Sequence, residues 1–168
     1  MNTNTLHKIS YGLYVVTSKK DDEINGQIAN TVFQITSNPP TLAVSINKEN
    51  YTHEFIKQSQ SFVVNVLGKD SEMVFIGRFG FKSGRNIDKF DGIKYRLSQS
   101  GNPILEESGV AFLEVKLKKE VDMGTHTVFI GEIIDGDIIS DGEPMTYAYY
   151  HLVKKGKAPK AAPTYIDE

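Results

Sequence analysis

AFLEVKLK (residues 111–118) and TVFIGEII (residues 127–134) decide the fold class of this chain. In the first stretch every odd position is apolar, and Glu or Lys occupies the even positions from 114 onward. A period of two predicts a strand with one buried face. The second stretch is apolar on both faces, which predicts a central strand, and a turn over 122–124 would join the two.

Further strands are predicted on the N-terminal side of this pair. The segments are YGLYVVTS (11–18), IANTVFQITS (28–37), TLAVSI (41–46) and FVVNVL (62–67). Asn25–Gly26 predicts a tight hairpin turn before the second of them, because both residues tolerate a left-handed backbone. Pro39 and Pro40 end that strand, since proline has no N–H to donate to a sheet.

Helices are short in this sequence. One is predicted over 50–59 and a second over 71–80. Residues 82–103 form the longest irregular stretch, and long loops in compact domains are often functional. Residues 154–168, rich in Lys, Ala and Pro, predict an extended tail after one domain that spans residues 1–153. Many strands without a regular strand–helix alternation predict a mostly β protein with short helices, folded as an antiparallel barrel.

The composition narrows the possible function classes. The chain has 168 residues, a formal net charge of -2 and no cysteine. Disulfides, thiolate metal sites and iron–sulfur clusters are therefore excluded, and the charge gives no electrostatic case for nucleic acid or a membrane surface. No nucleotide-binding glycine loop is present, and the histidines lack metal-ligand spacing, so no metal is expected. The N-terminus lacks a signal-peptide run, and a cytoplasmic location is expected.

Polar side chains gather in three clusters at the ends of apolar strands. The first comprises Asn30, Thr31, Gln34, Thr36 and Ser37. The second comprises Ser45, Asn47, Lys48, Asn50 and Thr52. The third comprises Lys82, Ser83, Gly84, Arg85 and Lys89. The first cluster could face either a flat heteroaromatic ligand or water, while the other two could cradle a phosphate or be ordinary capped and solvated loops.

His126 and the aromatic segment MTYAYYH (145–151) are further candidates. His126 directly precedes the predicted central strand, and beside a redox ring it could orient a nicotinamide, although most histidines at such positions are structural. The aromatic segment could form a wall for a flat ring, or it could pack in the core or in a dimer contact.

Seven segments carry a resemblance to a known family. They are YGLYVVTS (11–18), NGQIANTVFQITSNPP (25–40), AVSINKENYTHEFI (43–56), SFVVNVL (61–67), FGFKSGRNIDKF (79–90), GTHTVFIGEI (124–133) and GEPMTYAYYH (142–151). Taken in order they resemble the flavin reductase-like, FMN-binding split-barrel family, above all its flavoredoxin-like branch and the flavin domain of high-molecular-weight rubredoxins. The resemblance implies a homodimer of split β-barrels, each holding one FMN near the subunit interface.

The resemblance also implies which residues contact FMN. The isoalloxazine ring is expected near Ala29, Asn30, Thr31 and Thr36. The ribityl chain and phosphate are expected near Ser45, Asn47, Lys48 and Thr52. A second phosphate contact is expected from Ser83, Gly84 and Arg85. His126 becomes the candidate catalytic residue on the nicotinamide side of the flavin.

The function implied by the resemblance is electron transfer from NADH or NADPH to the flavin and on to an acceptor. An alternative is an FMN-carrying electron-transfer protein that a partner protein reduces, with little direct nicotinamide activity. A third is a non-redox binding module for another ligand such as haem, with His53 or His151 as an axial ligand. The tail resembles a linker to a rubredoxin, and because the chain has no cysteine, a rubredoxin acceptor is expected to be a separate protein.

Overall fold

The computed structural model describes residues 2–165 and contains short helices among many strands. A 3-10 helix (Thr3–Lys8) comes first. The strands are β1 (Tyr14–Lys20), β2 (Glu23–Ala29), β3 (Val32–Ser37), β4 (Pro40–Asn47), β5 (Ser61–Leu67), β6 (Tyr95–Leu97), β7 (Pro103–Leu105), β8 (Gly109–Asp122) and β9 (His126–Ile138). The helices are α1 (Tyr51–Ser59), α2 (Met73–Phe81) and α3 (Tyr147–Leu152).

Seven of these strands form one antiparallel sheet in the order β2-β1-β5-β8-β9-β4-β3. Its two edge strands, β2 and β3, are consecutive in the chain and are joined only by Asn30 and Thr31. A flat sheet of this size would separate its edges by roughly 29 Å, whereas the link reaches about 11 Å, so the sheet curls until its edges approach. We call this junction the seam. The predicted mostly β, antiparallel fold is confirmed, and the single strand predicted over 28–37 is divided at the seam.

Apolar side chains fill the inside of the curled sheet. Residues of α1 and of most strands meet there, among them Val16, Val44, Ile56, Phe62 and Phe129. A second apolar cluster packs α2 and α3 against β1 and the residue just before it. This cluster includes Leu13, Phe75, Phe79, Met145 and Tyr150. The helices therefore lie next to β1, β2 and the seam, where a ligand site can form between separate elements.

The first hairpin turn differs from its prediction. Asn25 and Gly26 lie inside β2, where Gly26 pairs with Thr17, and the chain reverses at Asp21–Asp22 instead. Asp21 adopts the left-handed backbone that the turn needs, with φ 53°. A Cβ on Gly26 would lie 2.9 Å from Thr17 Cγ2, so close packing within the hairpin, rather than a turn, explains this glycine.

β8 also differs from its prediction, because part of it is buried on both faces. Glu114, expected on the solvent side, is 0% exposed. Its Oε1 accepts hydrogen bonds from Ser98 Oγ at 2.5 Å and from Ser100 N at 2.9 Å. The outward orientation was wrong because part of the stretch expected to be irregular folds into the β6–β7 ribbon, and Ile104 of that ribbon packs against Phe112 of β8.

The tail after α3 turns back onto the barrel. Residues 153–165 contain no helix or strand, and several of them pack beside β2 and α3. The last three residues of the predicted tail, 166–168, lie outside the described residues. None of the described helices has the length and the apolar run that crossing a bilayer requires.

Candidate functional site

A cavity of about 310 Å³ lies beside the seam. Its walls come from β2, the ends of β4 and α2, the start of α1, helix α3 and the tail. It has a seam end, defined by Ala29 and Asn30, and a loop end, defined by Ser83 and Gly84. A cavity of this size that combines apolar walls with a few polar groups is typical of a small-molecule site.

The seam end presents amide oxygens that have no partner. Asn30 is 4% exposed, and its Nδ2 donates to Thr164 Oγ1 at 2.8 Å. Asn30 Oδ1 and Gln27 Oε1 are buried and accept no hydrogen bond from the described residues. Because an unpaired buried acceptor is costly, these oxygens suit a ligand that carries N–H donors. Tyr147 and Tyr150 complete this end with aromatic walls.

The loop end suits an anion. Asn50 precedes α1 without a side-chain cap, and His53 N donates to Asn50 O, which leaves the first two N–H groups of the helix for another acceptor. Asn25 Nδ2 donates to Thr52 Oγ1 at 3.1 Å. Gly84 lies so close to this pair that a Cβ on it would be 2.2 Å from Asn25 Oδ1. Lys82 adds an exposed positive charge, and this end therefore fits a phosphate group.

Lys89 also lines the cavity and is 5% exposed. Its Nζ donates to Gly26 O at 2.8 Å and to Phe79 O at 3.1 Å, which ties β2 to the last turns of α2. Burial lowers the pKa of the Lys89 ammonium from 10.5 to about 8, because the charged form loses its hydration. The sequence places Lys89 in a basic loop but gives no sign that the residue is buried.

The low pKa of Lys89 predicts a pH dependence of stability. Between about pH 8 and 10.5 the unfolded chain holds the proton that the folded chain has released, so folding becomes more favourable as the pH rises through this window. Relative to Lys89→Met, the wild-type free energy of unfolding should increase by about 2 kcal/mol from pH 7 to pH 10. Urea unfolding of both chains measures this difference, because they share every other titrating group. Parallel pH profiles would contradict the assignment.

Seven of the predicted cofactor residues line the cavity. They are Ala29, Asn30, Ser45, Asn47, Thr52, Ser83 and Gly84. Thr31 adjoins this set, because its Oγ1 donates to Ser45 O at 3.2 Å. The fold thus brings together members of all three polar clusters, although they lie far apart in the sequence.

Thr36 and Lys48 lie outside this lining. Thr36 is at the tip of the β3–β4 hairpin, where its Oγ1 shares a hydrogen bond of 2.5 Å with Thr41 Oγ1. Lys48 Nζ donates to Asp122 Oδ1 at 2.7 Å. That hydrogen bond lowers the pKa of the Asp122 carboxyl. Lys48 would have to leave Asp122 before it could bind a ligand in the cavity.

Arg85 also lies outside the lining, although it is close to it. It pairs with Glu54, and its guanidinium carbon lies 4.2 Å from the ring centroid of Tyr51, which does line the cavity. The hydrogen bond from Arg85 lowers the pKa of the Glu54 carboxyl. Because exposed ion pairs contribute little free energy, Arg85 can exchange Glu54 for a phosphate at low cost.

His126 begins β9 and pairs with Asn47, a lining residue of β4. Its Nδ1 lies 2.9 Å from Thr125 Oγ1. Its Nε2 is buried and has no hydrogen-bond partner among the described residues. His126 thus lies one strand away from the cavity, and its unpaired Nε2 is covered by the protein.

Several lining residues were not predicted as site residues. Asn25 and Gln27 belong to this group, and so does most of the tail segment between Lys157 and Pro163. Lys89 was part of the third polar cluster but was not assigned as a cofactor contact. The tail carries no local signal for a ligand, because Ala and Pro also suit a linker. The aromatic segment did signal a possible wall, and two of its tyrosines do line the cavity.

The two histidines considered for haem are engaged in other hydrogen bonds. His53 Nε2 lies 2.8 Å from Thr127 Oγ1, and burial lowers the pKa of His53. His151 Nδ1 lies 2.8 Å from Gly156 O. Among residues 2–165 there is no group of three or more His, Asp or Glu side chains that could hold a metal ion.

Comparison with known proteins gives consistent results. The family model described as "Flavin reductase like domain" matches residues 6–155. The chain is 58% identical over 165 residues to a high molecular weight rubredoxin of Moorella thermoacetica, covering 98% of this chain and 72% of that protein. It is 49% identical over 167 residues to a ferric-chelate reductase (NAD(P)H) of Archaeoglobus fulgidus, covering 99% of each chain.

Solved structures with the same fold include a flavin reductase and an FMN-binding protein. The flavin reductase HpaC, complexed with NADP+, matches with a TM-score of 0.74 and 30% identity, over 86% of this chain and 89% of that chain. An FMN-binding protein from Thermus thermophilus matches with a TM-score of 0.70 and 25% identity, over 79% of this chain and 74% of that chain.

Proposed function

Because the chain belongs to the family defined by the flavin reductase-like domain, we propose that it is an NAD(P)H:flavin oxidoreductase with FMN in the seam cavity. One observation carries the proposal: a single cavity joins unpaired amide oxygens at the seam end to an uncapped helix start and a close-packed glycine at the loop end. These two ends match the two ends of FMN, a flat ring with an N–H donor and a phosphate. Relatives with flavin and NAD(P)H in their names agree with this assignment.

The residues of the cavity fit FMN in their chemistry. Beside the ring we place Ala29, Asn30, Thr31 and Thr36, of which Thr36 would need the β3–β4 hairpin to approach the cavity. Near the ribityl chain and the phosphate we place Ser45, Asn47, Lys48, Thr52, Ser83, Gly84 and Arg85. Of these, Lys48 and Arg85 would first have to leave Asp122 and Glu54. When bound, FMN supplies the ring that accepts a hydride from the nicotinamide and passes electrons on.

The protein's own groups would orient this cofactor and keep water from it. Hydroxyls and amides hold the seam end without placing a strong charge there, while the helix start and Lys82 neutralise the phosphate. Tyr147 and Tyr150 shield one side from solvent. His126 Nε2 is unpaired and covered by the protein, and once uncovered it would donate to or accept from the nicotinamide side.

His126→Ala is expected to slow reduction by NAD(P)H roughly tenfold, because the lost ring orients the donor and not the flavin. FMN affinity should change less than about twofold, since His126 does not line the cavity. Stopped-flow reduction and FMN titration measure the two effects separately. His7→Ala, at an exposed position in the N-terminal 3-10 helix, is the matched control. An unchanged reduction rate in His126→Ala would remove His126 from the mechanism.

The proposed activity is tested by anaerobic stopped-flow mixing of the FMN-loaded chain with NADH and, separately, with NADPH. Loss of the flavin absorbance at a rate that saturates with donor concentration is the expected result. The donor with the higher ratio of maximal rate to half-saturating concentration is the preferred one. Persistent flavin absorbance with both donors, followed by bleaching with dithionite, would contradict the proposal.

That contradicting result would favour a second function, an FMN-carrying electron-transfer protein. The observation in its favour is the 58% identity to a high molecular weight rubredoxin across nearly the whole chain. A separate rubredoxin would then be a natural acceptor, and the 49% identity to a ferric-chelate reductase makes a ferric chelate another candidate. We propose a cytoplasmic location, where the reduced nicotinamides that the first function uses are available.

We also propose that the protein is a homodimer. The edge strand β3 exposes Phe33 and Ile35, with 59% and 44% of their surfaces accessible. An apolar edge strand of this kind favours pairing with a second chain. Analytical ultracentrifugation should give twice the chain mass, and a monomer at micromolar concentration would contradict the proposal.

A further inference from the structure

The tail crosses the cavity as a strap, which we define as residues 156–164. Lys155, with a left-handed φ of 57°, turns the chain out of α3. Gly156 then lies flat on the Tyr150 ring, where a Cβ would be 2.1 Å from Tyr150 Cζ. Tyr150 OH donates to Lys157 O at 3.0 Å and fixes the near end of the strap. Only glycine permits so close a crossing, so this anchor depends on Gly156.

The far end of the strap is fixed at the seam. Thr164 Oγ1 accepts a hydrogen bond of 2.8 Å from Asn30 Nδ2 and shares one of 2.9 Å with Tyr147 OH. We call this group of three side chains the latch. Asn30 directly follows β2, is buried and lines the cavity, so the latch closes directly over the seam end.

Between these two anchors the strap forms one wall of the cavity. Its lining residues are Lys157, Ala158, Pro159, Ala161, Ala162 and Pro163. Small side chains let the backbone approach a ligand closely, and the two prolines restrict the conformations of the open strap. A ligand in the cavity would therefore contact the strap over most of its length.

We propose that the strap is a cofactor-binding element, and that the latch of Thr164, Asn30 and Tyr147 sets the rate at which FMN leaves the cavity. This inference rests on the proposed function. A ligand that contacts the closed strap stabilises the closed form, and by the same linkage the latch retains the ligand. FMN would then be a resident prosthetic group rather than a substrate released after each turnover.

Thr164→Val tests the latch, because valine keeps the branched shape and removes the oxygen that both partners contact. The rate of FMN dissociation, followed by the fluorescence of released flavin, should rise roughly tenfold, as expected for the loss of two hydrogen bonds. Tyr147→Phe removes one partner and keeps the ring, and it should raise the rate about threefold. Tyr149→Phe is the matched control on the same helix. The Tyr149 ring lies 5.3 Å from Lys69 Nζ and does not line the cavity.

Proteolysis reports the position of the strap without any turnover. Trypsin can cut after the exposed Lys157 and Lys160 of the strap. FMN should slow this cleavage at least several-fold in the wild-type chain and much less in Thr164→Val. Suppose that Thr164→Val and Tyr147→Phe release FMN at the wild-type rate, and that FMN does not slow cleavage of the strap. The proposed role of the latch is then overturned, while the proposed function stands. If the wild-type chain binds no FMN, both are overturned.

Discussion

Gly84→Ala is expected to lower the affinity for FMN about 100-fold, close to 2.7 kcal/mol of binding free energy. The new Cβ would lie 2.2 Å from Asn25 Oδ1 and 2.8 Å from Asn25 Cγ, distances that no side chain tolerates. Asn25 is 2% exposed and donates to Thr52 Oγ1, so it cannot rotate away without breaking that bond. Either the loop leaves the cavity wall or Asn25 and Thr52 move, and each disrupts the loop end.

Equilibrium titration of the flavin-free chain with FMN measures this effect. Gly77→Ala is the matched control, because it lies in α2 with no atom within 4 Å of its new Cβ and does not line the cavity. That control should bind FMN like the wild type, and it should be more stable by about 0.5–1 kcal/mol because alanine favours a helix. Wild-type affinity in Gly84→Ala would remove residues 83–85 from the site.

Asn65→Leu is expected to lower the free energy of unfolding by about 4 kcal/mol. Asn65 is 0% exposed. Its Nδ2 donates to Val15 O at 3.1 Å and to Thr17 Oγ1 at 3.2 Å, and its Oδ1 accepts from Leu105 N at 2.8 Å. Leucine has nearly the same shape but leaves the Leu105 N–H and the Val15 carbonyl without this partner in the interior.

Urea unfolding monitored by circular dichroism gives this change directly. The exposed Asn86→Leu serves as the control and should change stability by no more than about 0.5 kcal/mol. A loss below about 1 kcal/mol in Asn65→Leu would show that water replaces the lost bonds, and that Asn65 does not tie β7 to the barrel.

The sequence was sufficient for β1, β4, β5, β9 and α1, because their hydrophobic patterns and boundary signals are local. It was insufficient for β8, where Glu114 alternates correctly but is covered by a ribbon that starts 19 residues earlier. It also misplaced the first turn, because Asn25–Gly26 is a strong local turn signal that close packing of β2 on β1 overrides. The seam could not be inferred, since it depends on which strands form the edges of the sheet.

The candidate site was predictable only where its residues form a local sequence pattern. Ser83 and Gly84 were found from a local loop pattern, and both line the cavity. Arg85 came from the same pattern, but its pairing with Glu54 joins segments 31 residues apart and has no local signature. The strap was missed because its composition is that of a linker, whereas its position depends on where Tyr150 and Asn30 lie in the folded chain.

The most direct test of the central claim is a crystal structure of the chain grown with FMN. The account predicts flavin density in the seam cavity, with the ring beside Asn30 and the phosphate between Thr52 and Gly84. Two results would contradict it: FMN density in a separate cleft lined by Ser71 and Glu107, or an empty seam cavity at saturating FMN.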